Sequence, residues 1–130
     1  MNGNSHRILV IEDQTSIREV VADLLREFEL AGQIEQANSI EEARQALNRM
    51  SWDAIITDMS LCDGNILDLI EVMQQQEQYR FPPILLMSGF LFGESEKRAR
   101  ALGINHILSK PFVPLILIDS VQHMLTTAAK

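Results

Sequence analysis

At four places in the sequence an acidic, hydroxyl or basic side chain follows a short apolar run, either directly or after one intervening residue. Glu12 and Asp13 follow one run, and Asp58 follows another. Ser88 follows a third run, and Lys110 comes just after a fourth. Carboxylates brought close together repel one another and are stable mainly where a cation joins them. A lysine and a hydroxyl beside that cation could bind phosphoryl oxygens. These residue types therefore suit metal-assisted phosphoryl transfer, provided that the fold brings the four places together.

The elements that must position these residues alternate along the chain. The apolar runs predict strands over residues 7–11, 34–37, 54–57, 84–87 and 106–108. Helical patterns lie between them: a stripe from Ile17 to Phe28 that Gly32 ends, one opened by the capping box Ser39–Glu42, and others over 66–76, 94–102 and from Pro114. Strands that alternate with helices predict βαβ units, hence an α/β fold with a doubly wound, five-stranded parallel sheet and helices on both faces.

In such a sheet the ligand site lies beyond the carboxyl ends of the strands, where all four places would meet. Oxygen ligands favour a hard ion, and Mg²⁺ commonly takes one or two carboxylates together with water and phosphate oxygens. Asp58 stands alone after the central strand, so we expect it to be the nucleophile that attacks phosphorus and forms an acyl phosphate. Glu12 and Asp13 are adjacent, and we expect them on the metal side of the site.

The composition limits the classes of function. The 130 residues carry a formal charge of −7, which argues against nucleic-acid binding because phosphate contacts need a basic face. The single cysteine, Cys62, excludes an internal disulfide. We find no signal peptide or membrane span and expect a cytoplasmic protein. Without a linker or repeat, residues 1–130 are predicted to be one domain with residues 1–6 as a flexible lead-in.

The motifs together resemble the receiver domains of two-component response regulators, along essentially the whole chain. The motifs are ILVIED (Ile8–Asp13), IITDMSL (Ile55–Leu61), LLMSG (Leu85–Gly89) and SKPF (Ser109–Phe112). Each is common alone, but four in this order at predicted strand ends are specific. The resemblance implies a flavodoxin-like (βα)₅ fold with strand order 2-1-3-4-5. It also implies a response-regulator phosphoprotein of a two-component phosphorelay.

The resemblance also implies roles for individual residues. Asp58 would be the phosphoacceptor and Asp13 a direct Mg²⁺ ligand. Glu12 would hold the ion through water, and the backbone carbonyl of Ser60 would complete the protein ligands, with Asp58 itself among them. Mn²⁺ is an alternative ion.

Further roles fall on the later strand ends. Lys110 would contact the phosphoryl group, across a cis peptide bond to Pro111. Ser88 would be the switch hydroxyl, and Ile107 occupies the switch position that usually holds Tyr or Phe. An isoleucine has no ring to rotate, so the sequence does not predict the usual aromatic readout. Ser60 and Phe90 stand where the family tunes the lifetime of the acyl phosphate, and the bulk of Phe90 predicts slow hydrolysis.

The partners implied are a sensor histidine kinase or a histidine phosphotransfer protein as the phosphohistidine donor. Phosphorylation would switch the face formed by the fourth helix, the fifth strand and the fifth helix, and a homodimer formed on activation is left open. We expect a signalling domain rather than an enzyme that turns over an external substrate, with no membrane partner. The output target cannot be read from the sequence.

Other readings remain open. Each residue has a bland interpretation: Glu12 and Asp13 as solvated acids, Asp58 as a helix cap, Lys110 as a surface charge. A receiver-like interaction module that is never phosphorylated is the main alternative. A Mg²⁺-dependent phosphohydrolase with an aspartate nucleophile is less favoured, because Ser60 stands where that class has its second acid. A nucleotide-binding module would need a glycine-rich loop after the first strand, which this chain lacks.

Overall fold

Five parallel strands form the central sheet of the computed structural model, which describes residues 6–76, 79–89 and 93–128. The elements run in the order β1 (Arg7–Ile11), α1 (Thr15–Glu27), β2 (Gln33–Ala37), α2 (Ile40–Arg49), β3 (Ala54–Asp58), β4 (Ser60–Leu61), β5 (Gly64–Asn65), α3 (Ile66–Gln74), β6 (Ile84–Ser88), α4 (Glu94–Ala101), β7 (His106–Ser109) and α5 (Pro114–Ala128). The strand order of the sheet is β2-β1-β3-β6-β7, and every pairing in it is parallel. The predicted class, a five-stranded parallel sheet with five helices, is confirmed.

The short strands β4 and β5 are the difference from the expected architecture. They pair antiparallel with each other, outside the main sheet, between β3 and α3. Without these two strands the observed order is the expected 2-1-3-4-5. A strand of two residues is too short to show an alternating pattern, so β4 and β5 could not be predicted from the sequence.

Two apolar clusters cover the two faces of the sheet. One cluster joins side chains on one face of the sheet to α2 and α3. The other joins side chains on the opposite face to α1 and α5. All five residues of β3 and all five of β6 are buried. Strands covered on both faces read as continuous apolar runs, which is why these strands were recognisable in the sequence.

The end of α1 differs from the prediction. The helix ends at Glu27, five residues before Gly32, and Glu29 takes the left-handed conformation with φ of 56°. Gly32 instead donates its N–H to the carbonyl of His6 at 3.0 Å, at the start of the β1–β2 pairing. The predicted apolar stripe of this helix was also too long, because Phe28 is 40% exposed and lies beyond the end of the helix.

The capping box at the start of α2 is present. Ser39 Oγ accepts a hydrogen bond from the N–H of Glu42 at 3.1 Å. The Glu42 carboxylate reaches back to the N–H of Asn38 at 2.8 Å, one residue earlier than in the standard box. Side chains therefore fix where β2 ends and α2 begins.

Candidate functional site

The carboxyl edge of the sheet brings together the polar groups that the sequence singled out. Asp58 is the last residue of β3. The backbone N–H of Glu12 donates to the carbonyl of Ala37 at 2.9 Å, and the N–H of Lys110 donates to the carbonyl of Ser88 at 2.9 Å. The hydrogen-bond ladder thus continues one residue past β1 and past β7. This backbone pairing fixes where the chain leaves the sheet and where the site side chains begin.

Three acidic side chains form a cluster at this edge. Glu12, Asp13 and Asp58 each offer a carboxylate oxygen, and these oxygens lie within 4.8 Å of one another. Glu12 is fully buried and Asp58 is 9% exposed. Such a set of oxygen donors fits a hard divalent cation, which also removes the repulsion between the carboxylates.

The Lys110 ammonium group lies between two of these acids. Its Nζ is 2.9 Å from Glu12 Oε1 and 3.1 Å from Asp58 Oδ2. Burial acts to lower the pKa of Lys110, but the two carboxylates outweigh it and the pKa is raised. Lys110 is therefore a fixed positive charge at any pH near neutrality.

The buried carboxyl group of Glu12 is held in place by two donors. Burial raises the pKa of Glu12, against the opposing effects of Lys110 and of the N–H of Gln14. The Gln14 N–H donates to Oε2 at 3.1 Å. A buried acid that is costly to ionise is stabilised by additional positive charge, so the position of Glu12 also favours a cation at the cluster.

The Asp58 carboxylate presents its two oxygens to different partners. Oδ1 accepts a hydrogen bond from the N–H of Met59 at 2.8 Å, while Oδ2 faces Lys110. The carboxylate is thereby oriented by backbone on one side and by a cation on the other. Asp58 is also the nearest of the three acids to the centre of the sheet, since β3 is flanked by β1 and β6.

The remaining predicted positions lie around this cluster. Ser88, at the end of β6, is 5% exposed. Ser60 is exposed at the start of β4, and Ile107 is half-buried on β7 against one core cluster. The peptide bond between Lys110 and Pro111 is cis, as expected. Phe90 lies outside the described residues, so its predicted role stays a prediction.

Arg18 contacts the site and was missed in the sequence. From α1 its guanidinium donates to the backbone carbonyl of Glu12 at 2.8 Å and to Gln36 Oε1 at 3.0 Å. It therefore ties the loop after β1 to β2. The one signal in the sequence is a basic residue early in a helix that follows two acids, which is too common to single out.

Comparison with known proteins decides the family. The model of the response regulator receiver domain matches residues 8–122. The chain belongs to the receiver domain family of response regulators. Receiver domains are signalling domains of two-component systems rather than conventional enzymes.

Relatives of this receiver domain differ in length. It is 31% identical over 120 residues to the phosphate regulon transcriptional regulatory protein PhoB of Klebsiella pneumoniae, a match that covers 91% of this chain and 51% of PhoB. It is 22% identical over 121 residues to the chemotaxis protein CheY1 of Helicobacter pylori, covering 93% of this chain and 98% of CheY1. The receiver domain thus spans about half the length of the first relative and nearly all of the second.

Solved structures agree with the fold of the receiver domain. The chemotaxis response regulator CheY4 of Vibrio cholerae superimposes with a TM-score of 0.82 at 27% identity, covering 94% of this chain and 100% of CheY4.

Within the described residues of the receiver domain, no helix has the length and apolar character needed to cross a membrane.

Proposed function

We propose that this receiver domain accepts a phosphoryl group on Asp58 from a phosphohistidine, with Mg²⁺ bound by the acidic cluster. The observation that carries the proposal is the position of Lys110. Its ammonium group contacts both Asp58 Oδ2 and the buried Glu12, beside three clustered acids. A bland surface lysine or a capping aspartate would not give this arrangement, because it needs groups from three separate strand ends.

The metal would be held by Asp13 and Asp58 directly and by Glu12 through water, with the Ser60 carbonyl as a further ligand. Mn²⁺ could replace Mg²⁺, since both are hard ions that take oxygen ligands. When bound, the cation neutralises charge on the transferring phosphoryl group. The cluster has the donor atoms for this, and its negative charge needs such a partner.

The chemistry follows from the orientation of Asp58. A carboxylate oxygen attacks phosphorus as the bond between phosphorus and the donor's histidine nitrogen breaks, and the nitrogen keeps the electron pair. The product is an acyl phosphate on Asp58, and the donor leaves as a neutral imidazole because its other ring nitrogen carries a proton before transfer. Lys110 stays protonated throughout and stabilises the phosphoryl oxygens, and Ser88 can then donate to one of them.

An apolar groove beside Lys110 is where we expect the donor protein, a sensor kinase or phosphotransfer protein, to dock. The groove lies between α1 and the start of α5 and is lined by Ser16, Ile17, Val20, Lys110, Pro111, Phe112 and Pro114. Val20 is 48% exposed there. The test compares two donors: an autophosphorylated kinase that labels the wild type, and acetyl phosphate. We expect Val20→Glu to slow phosphoryl transfer from the kinase and to leave transfer from acetyl phosphate unchanged. Equal slowing with both donors would refute this docking surface.

The output side is proposed to be α4, β7 and α5. β7 is the edge strand of the sheet and pairs with β6, which ends at Ser88. The added phosphoryl charge would draw Ser88 inward and change how this edge packs. With Ile107 in place of an aromatic residue, the readout would depend on backbone and helix position. As part of the same proposal, the domain acts in the cytoplasm on a downstream partner and does not itself bind nucleic acid.

The deciding experiment is intact-mass spectrometry after incubation with acetyl phosphate. We expect a Mg²⁺-dependent gain of one phosphoryl group in the wild type, and none in Asp58→Asn or after chelation of the metal. Asp23→Asn, which changes an exposed acid on α1, is the matched control and should be labelled like the wild type. A folded wild type that gains no mass would overturn the proposal in favour of an interaction module. Labelling that persists in Asp58→Asn would overturn it by assigning the phosphoryl group to another residue.

A further inference from the structure

The loop that follows Asp58 is attached to the start of α2 by one carboxylate. β4 and β5 form a hairpin with Cys62 and Asp63 at its tip. Asp63 Oδ1 accepts a hydrogen bond from the N–H of Ile40 at 2.7 Å, and Oδ2 accepts one from the N–H of Glu41 at 3.1 Å. A hairpin distant in sequence therefore caps this helix.

The capping of α2 is shared between near and distant residues. A helix leaves its first N–H groups without partners inside the helix. Ser39 Oγ accepts the N–H of Glu42. The Asp63 carboxylate accepts the N–H groups of the two preceding residues, Ile40 and Glu41. The bond from Ile40 is the main reason why the pKa of Asp63 is lowered. Its carboxylate is thus ionised and bonded at neutral pH, at the positive end of the helix dipole.

The hairpin tip also lies close to this junction. A Cβ added at Gly64 would come within 3.5 Å of Ile40 Cγ1, so the tip lies beside the first residue of α2. Gly64 has φ of 152°, a conformation that side-chain-bearing residues rarely adopt. The backbone conformation, and not a lack of space beside Ile40, therefore favours glycine at this position.

The same junction holds the other side of the acidic cluster. The carbonyl of Ala37, the last residue of β2, accepts the N–H of Glu12 at 2.9 Å. Residues 37–41 are therefore a common attachment for the loop that carries Glu12 and Asp13 and for the hairpin that carries Ser60. Moving one loop relative to the other would change the spacing between the groups proposed to hold the cation.

We infer that Asp63 is a positioning residue that holds the hairpin so that Ser60 faces the acidic pair and Mg²⁺ binds tightly. The inference rests on the proposed function, because it concerns the same metal site. Asp63 itself is exposed and is not one of the three clustered acids. Its effect would therefore pass through the hairpin to metal affinity and leave the reacting groups, Asp58 and Lys110, in place.

The test separates metal affinity from the rate of the chemical step. The rate of labelling by acetyl phosphate is measured against Mg²⁺ concentration for the wild type and for Asp63→Ala. We expect the Mg²⁺ concentration for half-maximal rate to rise about tenfold, the loss typical when a group supporting a metal ligand is removed. The rate at saturating Mg²⁺ should change by less than about twofold, because no reacting group is altered.

Two further variants distinguish a tether from a simple change of charge. Asp23→Ala removes one exposed acid elsewhere and should leave the Mg²⁺ dependence close to that of the wild type. Asp63→Asn loses the same charge as Asp63→Ala but keeps one oxygen that can accept the N–H of Ile40, so it should recover part of the affinity. An Asp63→Asn variant as weak as Asp63→Ala, or an Asp63→Ala variant no weaker than Asp23→Ala, would overturn the inference.

Calorimetric titration with Mg²⁺ alone keeps this inference separate from the proposed function. A wild type that binds Mg²⁺ but is never labelled would sink the proposed phosphoryl transfer, while the comparison of Mg²⁺ affinities would still test Asp63. If Asp63→Ala does not fold, Asp63→Glu replaces it: the longer side chain keeps the charge and displaces the hairpin tip. Weaker Mg²⁺ binding in Asp63→Glu supports the tether, and unchanged binding refutes it.

Discussion

Helices α3 and α4 lie on the same face of the sheet but are attached to it in different ways. α3 follows the hairpin of β4 and β5 and buries five residues against the core: Ile66, Leu67, Leu69, Ile70 and Met73. In α4, which follows β6, only Ala99 is buried. α3 is therefore fixed by apolar packing, whereas α4 has little of it.

Polar contacts at the surface hold α4 instead. Arg98 pairs with Asp68 at 2.7 Å and with Glu71 at 2.8 Å, both on α3. The side chain of Gln74 donates to the carbonyl of Leu102, just past the end of α4, at 2.6 Å. Exposed ion pairs contribute little to stability, typically about 1 kcal/mol or less each.

The difference bears on the proposed chemistry and readout. Asp58 and Ser88 end strands whose residues are all buried, and the last four residues of β1, before Glu12, are buried too, whereas β7, before Lys110, is half-buried. α4 can shift at small cost in free energy, since local opening is easiest where few apolar contacts are lost. If Asp58 is phosphorylated as proposed, we expect the change of charge to act on α4 more than on α3.

The largest effect is expected in the α3 core. Ile70→Ala should lower the free energy of unfolding by about 2–5 kcal/mol, because it leaves a cavity beside the sheet. Urea denaturation measures this change. Val72→Ala on the same helix, where Val72 is 58% exposed, is the control and should have little effect. If the two variants were equally stable, apolar packing would not be what fixes α3.

A smaller effect is expected when the ion pairs of α4 are removed. Arg98→Ala should lower stability by about 0.2–1 kcal/mol. Amide hydrogen exchange should become faster in α4 and stay unchanged in α3, because α3 retains its buried contacts. Arg26→Ala, which breaks an exposed pair within α1, should leave exchange in α4 as it is. Equal acceleration in α3 and α4 would mean that the two helices open together.

The smallest effect on stability is expected from the protonation of His106 on β7. Burial, together with nearby His123, lowers the pKa of His106, and the two rings are in edge contact with centroids 5.7 Å apart. The unfolded chain then binds the proton more readily, so stability should fall as the pH drops through about 6.5 toward the folded-state pKa. His106→Gln should reduce this slope, measured by urea denaturation from neutral to acidic pH. An unchanged slope would assign the pH dependence to other groups.

Local patterns in the sequence determined the main architecture and the contents of the site. Apolar runs such as those of β3 and β6 mark strands buried on both faces, because such strands need no polar side. Asp58 and Lys110 could be placed at one edge because parallel strands end on the same side of a sheet. Ser39 and Glu42 marked the start of α2 through hydrogen bonds between residues that are close in sequence.

Tertiary structure alone decided the contacts that arrange these groups. An aspartate before a glycine is common in turns, so nothing in the sequence singles out Asp63, and only the fold shows its carboxylate at the start of α2. The bond from Arg18 to the carbonyl of Glu12 and the attachment of α4 through Arg98 are of the same kind. Their physical reason is distance along the chain. The partners are brought together by burial of the core, and a polar residue on an exposed surface shows no pattern that identifies its partner.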